Sequence, residues 1–366
     1  MTGFAYRPAL DGVRAIAISA VVLLHAFGWP RGGALGVDLF FVLSGFLITT
    51  LLLQEHQRSR HIDLRAFYRR RAVRLLPALF VVLVTYAVAV TTLAAVRGKD
   101  LHDPMVALAA AATYSSNFLN VFAFPADVPA SLAQLWSLAQ EEQFYLLWPI
   151  VLLLLTRKHR TLTRFLWLAI AAVTIENVVL LAVNGASDES FYRIYFGPDT
   201  HSAPILVGCL FGVLFVQDRL PRLVRSRGTA TAAVCLAALL FAIYSFAWNP
   251  FVFGTPAVLV VAFIAAFLIA SLVTDHNSLA ARALGIRPLR FVGKISYALY
   301  LWHPLMLVAF GAQLHTALGG WRATAAIAAS VAAATMSRYL VERPCLRYRT
   351  ARETERATAT PATAPA

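Results

Sequence analysis

The sequence predicts an all-α polytopic integral membrane protein, a helical bundle of about ten transmembrane helices. Three observations carry this. Of 366 residues, 59% are hydrophobic and only 14% charged, with a mean hydropathy of +0.68; ordinary soluble domains are about 45–50% apolar and about 25% charged. The apolar residues fall in runs near the roughly 20 residues that a bilayer requires. The basic residues gather between those runs and on alternate sides of them, as loops flanking spans do.

Ten spans are expected, at about 10–28, 34–54, 75–96, 137–155, 163–183, 202–217, 229–247, 253–273, 294–313 and 321–341. The first opens on Asp11 and Arg14 and is followed by no small-residue cleavage site, so it reads as a retained span and not as a signal peptide. The second follows Gly32-Gly33-Ala34, the third follows the cluster Arg69 to Arg74, and the fourth begins at Trp136-Ser137. Between the third and fourth, residues 105–123 are fairly apolar, but Tyr114-Ser115-Ser116-Asn117 marks a re-entrant or surface piece. Counting it as an eleventh span would move the later basic clusters outside. With ten spans and a cytoplasmic start, 27 of the 32 Lys and Arg lie inside, and only Arg31, Arg97, Lys99, Arg193 and Arg322 lie outside. The expected location is the cell (inner) membrane with both termini cytoplasmic. Residues 1–349 form one transmembrane domain, and the Ala-, Thr- and Pro-rich 350–366 a disordered cytoplasmic tail.

Several function classes are excluded. A formal charge of +14 invites a nucleic-acid reading, but no soluble basic domain exists to carry it. Cys209, Cys235 and Cys345 have no metal-ligand spacing and suggest neither a zinc site nor a disulfide framework. There is no phosphate-binding Walker loop and no dinucleotide fingerprint.

Ionisable residues inside a span cost at least about 2.5–3.5 kcal/mol at its centre, so their default reading is functional. They fall in two layers. Arg14 and His25 lie eleven positions apart on the first helix, on nearly the same face and about 16 Å apart along the axis. Asp11 can pair with Arg14 one turn away. Near the outer end, His25, Asp38, Glu141, Glu142, Asp199 and His201 sit at similar depth on different helices. The inner layer is Arg14 with Arg69, Arg70, Arg71 and Arg74, whose guanidinium forks suit phosphates. A phosphorylated donor docked at the inner layer and extending a thin arm would approach His25. Each feature also has an ordinary reading. The arginines are topology anchors, His25 a hydrogen-bonded structural histidine, Asp38 a helix cap, and Trp136, Trp148 and Trp302 packing aromatics. His303, before Pro304, is either structural or cavity-lining.

With these residues in view, the sequence resembles the membrane acyltransferase-3 family, the integral O-acyltransferases of sugars, surface polysaccharides and macrolides. Arg7-Pro8-Ala9-Leu10-Asp11-Gly12-Val13-Arg14 leading to His25 matches its Arg-x10-His signature. Gly36 to Ile48, with Asp38 and Ser44, resembles its second motif, and Phe67 to Pro77, with Arg71 and Arg74 in an Arg-x-x-Arg pattern, its third. Trp136 to Tyr145 resembles its Trp-Ser-Leu-x-x-Glu block, which selects Glu141 over Glu142. Ser296 to His303 and Leu340-Val341-Glu342-Arg343-Pro344 fit its closing motifs. One departure stands out: after Tyr195-Phe196-Gly197-Pro198-Asp199-Thr200 the family usually continues with Arg, and here His201 stands. Some members carry a soluble hydrolase-like domain after the membrane part, and this sequence stops short of one.

The resemblance implies an acyl-CoA co-substrate, most often acetyl-CoA, no permanently bound cofactor and no metal. Arg14, Arg71, Arg74 and Ser44 would bind the donor. His25 would be general base on an acceptor hydroxyl, with Glu141 or Asp38 orienting it or holding the acceptor. The acceptor would be a carbohydrate, a lipid-linked glycan or a macrolide, in contact with membrane lipids. The competing class is a proton-coupled transporter or exporter using the same buried Arg, His and carboxylate residues as a relay.

Overall fold

The computed structural model describes residues 6–98, 100–122, 129–155, 159–246, 253–313 and 317–348. The expected tail at 350–366 lies outside these residues. Among them there is no strand. In chain order the helices are α1 (Pro8–Phe27), α2 (Leu35–Ser59), α3 (Leu64–Arg97), α4 (His102–Ala112), α5 (Ser116–Phe122), α6 (Leu135–Leu155), α7 (His159–Asn184) and α8 (Asp188–Phe196). They continue as α9 (Ala203–Val216), α10 (Arg222–Ser226), α11 (Gly228–Ser245), α12 (Pro256–Thr274), α13 (Leu279–Leu284), α14 (Arg287–Ala309) and α15 (Gly320–Met336). A π-helical segment, Ser337–Glu342, extends α15.

Eight of these helices are long and apolar enough to cross a membrane. Two more, α9 and α14, complete the ten expected spans. α9 has only 14 residues, but 11 of them are buried, so it is surrounded by protein and need not match the bilayer by itself. α14 carries Arg287, Arg290 and Lys294 in its first two turns, which lowers its hydropathy. The segment expected to be re-entrant or surface-bound forms α4 and α5, of 11 and 7 residues. Both are too short to span. Its polar residues dock on α6: Asn117 and Gln143 exchange amide hydrogen bonds at 3.2 and 2.9 Å, and Gln143 also donates to the Tyr114 carbonyl at 2.8 Å.

Lipid-facing surfaces are visible as apolar faces with nothing packed on them. On α3, Phe80, Val84 and Val88 are exposed at four-residue spacing, while Leu75, Leu79, Val82 and Tyr86 face inward. A helix apolar on both faces is stable only in lipid or deep in protein. α3 also begins earlier than the apolar run, at Leu64, where the Asp63 side chain accepts from the Ala66 N–H at 2.8 Å. Its first three turns therefore hold Arg69 to Arg74 in a rigid helix and not in a loop.

At the centre, α2 and α9 cross so closely that only glycine fits. A Cβ on Gly45 would collide with the Ile205 carbonyl, and one on Gly208 with the Val42 carbonyl. Reciprocal small residues permit such backbone contact between membrane helices, where van der Waals packing drives association. Gly293 meets the Asp11 carbonyl in the same way, fixing α14 against α1. Trp148 on α6 donates to Thr49 on α2 at 2.8 Å. This frame leaves internal cavities, among them one toward each end of the bundle.

Candidate active site

The larger cavity, about 910 Å³, lies toward the end where α2 runs into α3. Arg14, Ser44, Arg71, Arg74 and Glu141 all line it. Arg71, one turn before Arg74 on α3, donates to Glu142 at 2.9 Å and lies flat over the Tyr145 ring, 3.2 Å from its centroid. The Tyr145 and Ser44 hydroxyls both donate to Glu141. Both hydroxyls meet the same carboxyl oxygen, which fixes the side chain. Arg14 pairs with Asp11 at 3.1 Å, as the one-turn spacing predicts. Four helices thus deliver a cationic floor and a fixed carboxylate to one chamber.

The second cavity, about 350 Å³, opens toward the opposite end, past Gly28, Ala34 and Ala312. His25 lines it, with Gln134, Trp136 and Tyr300. Its Nδ1 lies 3.0 Å from Nε2 of His303, and the two rings stack 7° from parallel. His303 is fully buried, and its Nδ1 lies 3.0 Å from the Leu299 carbonyl. A carbonyl only accepts, so His303 Nδ1 carries the proton and its Nε2 is the acceptor. His25 Nδ1 must then donate to it, which leaves His25 Nε2 as the basic nitrogen. With both rings neutral, this pairing holds the His25 imidazole in one tautomer.

The two cavities meet. Val37 and Tyr300 line both, and Trp136 and Ser137, consecutive on α6, line one each. The Tyr300 hydroxyl is held between Ser137 Oγ at 2.5 Å and the Gln134 carbonyl at 2.7 Å, and its ring lies 5.7 Å from that of His303. Tyr300 is thus a shared wall.

Not every residue singled out in the sequence converges. The single outer layer of histidine and carboxylates divides four ways, with His25 alone in the smaller cavity. Glu141 and Glu142 belong to the arginine cavity and not to the layer of His25: Glu142 accepts from Arg71 of the expected inner layer, and Glu141 accepts from Ser44 and Tyr145. Asp38 lines neither cavity. It is buried, with Oδ1 2.9 Å from His201 Nε2 and Oδ2 without a partner among the described residues. His201 Nδ1 lies 2.7 Å from the Tyr195 carbonyl, and the rings of Phe41, Trp136, Tyr195 and Phe253 surround it within 6 Å. Asp199 pairs instead with Arg193 at 2.5 Å in the exposed α8–α9 connection. Partial burial pushes its carboxyl up, but the guanidinium overrides this and holds it below the usual carboxylate range. Sequence reasoning missed Tyr300 and left His303 open. The available signal was a titratable residue within an apolar run, followed by Pro304, whose missing N–H leaves the Tyr300 carbonyl without its helical donor.

Comparison with known proteins gives the family. The profile of the acyltransferase-3 family, an acyltransferase domain, matches residues 7–338. The chain is 33% identical over 353 residues to a peptidoglycan O-acetyltransferase, OatA, of Listeria monocytogenes, covering 93% of this chain and 56% of that protein. It is 32% identical over 359 residues to a putative peptidoglycan O-acetyltransferase, YrhL, of Bacillus subtilis, covering 93% and 55%. With an O-acetyltransferase, OatA, of Staphylococcus aureus it shares 35% over 318 residues, covering 83% and 51%. The chain spans about half the length of these curated relatives. No solved structure matches. A ten-helix frame, an Arg-lined and a His-lined cavity, and a family match over nearly the whole length agree: the chain is a multi-pass membrane protein of the acyltransferase-3 family.

Proposed function

We propose that this chain moves an acyl group, most simply acetyl, from cytoplasmic acyl-CoA to a hydroxyl of a carbohydrate acceptor. The observation that carries the reading is the meeting of the two cavities at Tyr300, with a cationic chamber on one side and an imidazole of fixed tautomer on the other. The names of the relatives, which speak of peptidoglycan, support a cell-wall glycan as the acceptor. The positive-inside pattern supports a cytoplasmic arginine end and cytoplasmic termini.

In this reading Arg14, Arg71 and Arg74 hold the donor's phosphates by charge-assisted hydrogen bonds. Ser44 and Glu141 line the path of its arm, and the thioester comes to the Tyr300 wall. An acceptor hydroxyl enters from the other end beside His25. Nε2 of His25 takes the hydroxyl proton as the oxygen attacks the thioester carbonyl. The tetrahedral intermediate collapses with cleavage of the C–S bond, and the proton passes from His25 to the departing thiolate. The products are the O-acyl ester and free CoA thiol. His303 keeps Nε2 the basic nitrogen throughout. Asp38 and His201 act at a distance, tying α2 to the segment before α9.

The test is purified protein in detergent with acetyl-CoA and a glycan acceptor, followed by thiol release. Release that depends on acceptor is expected. A transporter would move solute across vesicles with no thioester consumed, and that result would overturn the proposal.

A further inference from the structure

A third cavity, about 340 Å³, lies between the start of α1, the start of α14 and the π-helical segment. It shares Arg14, Arg74, Ser296 and Tyr297 with the arginine chamber, so the two are neighbours at the same end of the bundle. Five cations line it against two carboxylates. Both carboxylates are already engaged, Asp11 by Arg14 at 3.1 Å and Glu342 by Arg338 at 2.8 Å. Arg74, Lys294 and Arg343 therefore face the cavity with no carboxylate partner among the described residues. The π-helical turn matters here, because such widened turns re-aim side chains and recur at functional sites. It contains Arg338, ends just before Arg343, and holds Glu342, which is buried.

Surplus positive charge in a concave site calls for an anion. Three aromatic rings, Tyr6, Phe291 and Tyr339, line the same cavity and are 57%, 40% and 47% exposed. Lys294 stands 5.7 Å from the Tyr6 ring centroid and Arg343 4.8 Å from that of Tyr339. Aromatic rings together with cations that have no carboxylate partner suit a nucleobase with attached phosphates, since any base stacks on an aromatic face. A lipid headgroup offers the phosphate and not the ring.

We infer that this third cavity, through Lys294 and Arg343, seats the phosphorylated nucleoside end of the donor, while its acylated arm lies in the larger chamber. The inference rests on the acyl-CoA reading and extends it to residues outside the arginine pair of α3. Arg14 and Arg74, at the junction, would touch the link between the two ends of the donor.

The experiment compares two donors, acetyl-CoA and acetyl-pantetheine, which carries the thioester arm but no nucleotide and no phosphate. Wild-type protein is expected to use acetyl-CoA at a KM at least about tenfold lower. In the double variant Lys294→Gln/Arg343→Gln, the acetyl-CoA KM should rise by about tenfold or more, with kcat and the acetyl-pantetheine KM unchanged. An unchanged acetyl-CoA KM, or an equal rise for both donors, overturns the assignment. So does an effect confined to the dependence of activity on added phosphatidylglycerol, which would identify a lipid-headgroup site. Wild-type protein that turns over neither donor refutes the acyl-CoA reading itself, a different result from a variant with normal KM.

Discussion

The two meeting cavities solve opposite problems with opposite materials. The larger is polar and heavily cross-linked: Arg71 is fixed by Glu142 and Tyr145, and Glu141 by Ser44 and Tyr145. The smaller is mostly aromatic and aliphatic, with one imidazole whose Nδ1 meets a second imidazole. A chamber that must hold a multiply charged donor needs fixed charge. A chamber that must take a proton from a neutral hydroxyl needs a base. In the proposed reading, donor binding and proton transfer are kept apart, with one tyrosine between them.

Variants on either side of that wall should behave differently. The largest expected effect is His25→Ala, which removes the base and should lower kcat by about 10²–10⁴-fold with little change in the donor KM. Membrane insertion should stay normal, as read by expression and detergent monodispersity. On the other side, Arg71→Gln should act mainly on donor KM. It should also lower stability by about 1.5–3 kcal/mol, because Glu142 loses a charge-assisted hydrogen bond; a kinetic titration and a thermal melt check both. At the wall, Tyr300→Ala should raise acceptor-independent thioester hydrolysis several-fold, while Tyr300→Phe keeps the ring and should raise it less. Equal leak in the two would mean the ring is not the barrier. The smallest effect is expected far from both cavities. Asp199→Asn should cost less than about 1 kcal/mol, since the pair is half exposed. The folded Asp199 carboxyl titrates below its unfolded value, so its contribution is present above about pH 4 and is lost as pH falls through the depressed value. Melting temperatures across that range, compared with Asp199→Asn, should converge in acid.

The frame was legible in the sequence because hydropathy, helix length and loop charge each constrain the same thing. The ten expected spans coincide with α1, α2, α3, α6, α7, α9, α11, α12, α14 and α15. Even the exclusion of 105–123 follows from polarity, since Asn117 needs Gln143 and not lipid. Depth in the site was legible only in part: Glu141 and Glu142, expected in the layer of His25, meet the arginine layer, where Glu142 accepts from Arg71. Rotation was not. Arg14 and His25 share one helix face, and yet they line different cavities. Glu141 accepts from Ser44, and Asp38 pairs with His201. Hydrophobic periodicity carries little directional signal in a helix apolar all round, so such contacts wait for packing. The glycines at 45, 208 and 293 show why: each fixes a crossing through its partner's backbone carbonyl, which no single-helix pattern records.

The central claim is that donor and acceptor meet across Tyr300 from opposite ends of the bundle. Reconstituting the protein in vesicles, in one orientation, with acetyl-CoA and acceptor on chosen sides, tests it most directly. The account predicts acylated product when acetyl-CoA is on the side of Arg71 and acceptor on the side of Gly28, and none when the two are exchanged. Product formed only when both substrates share one side would contradict it.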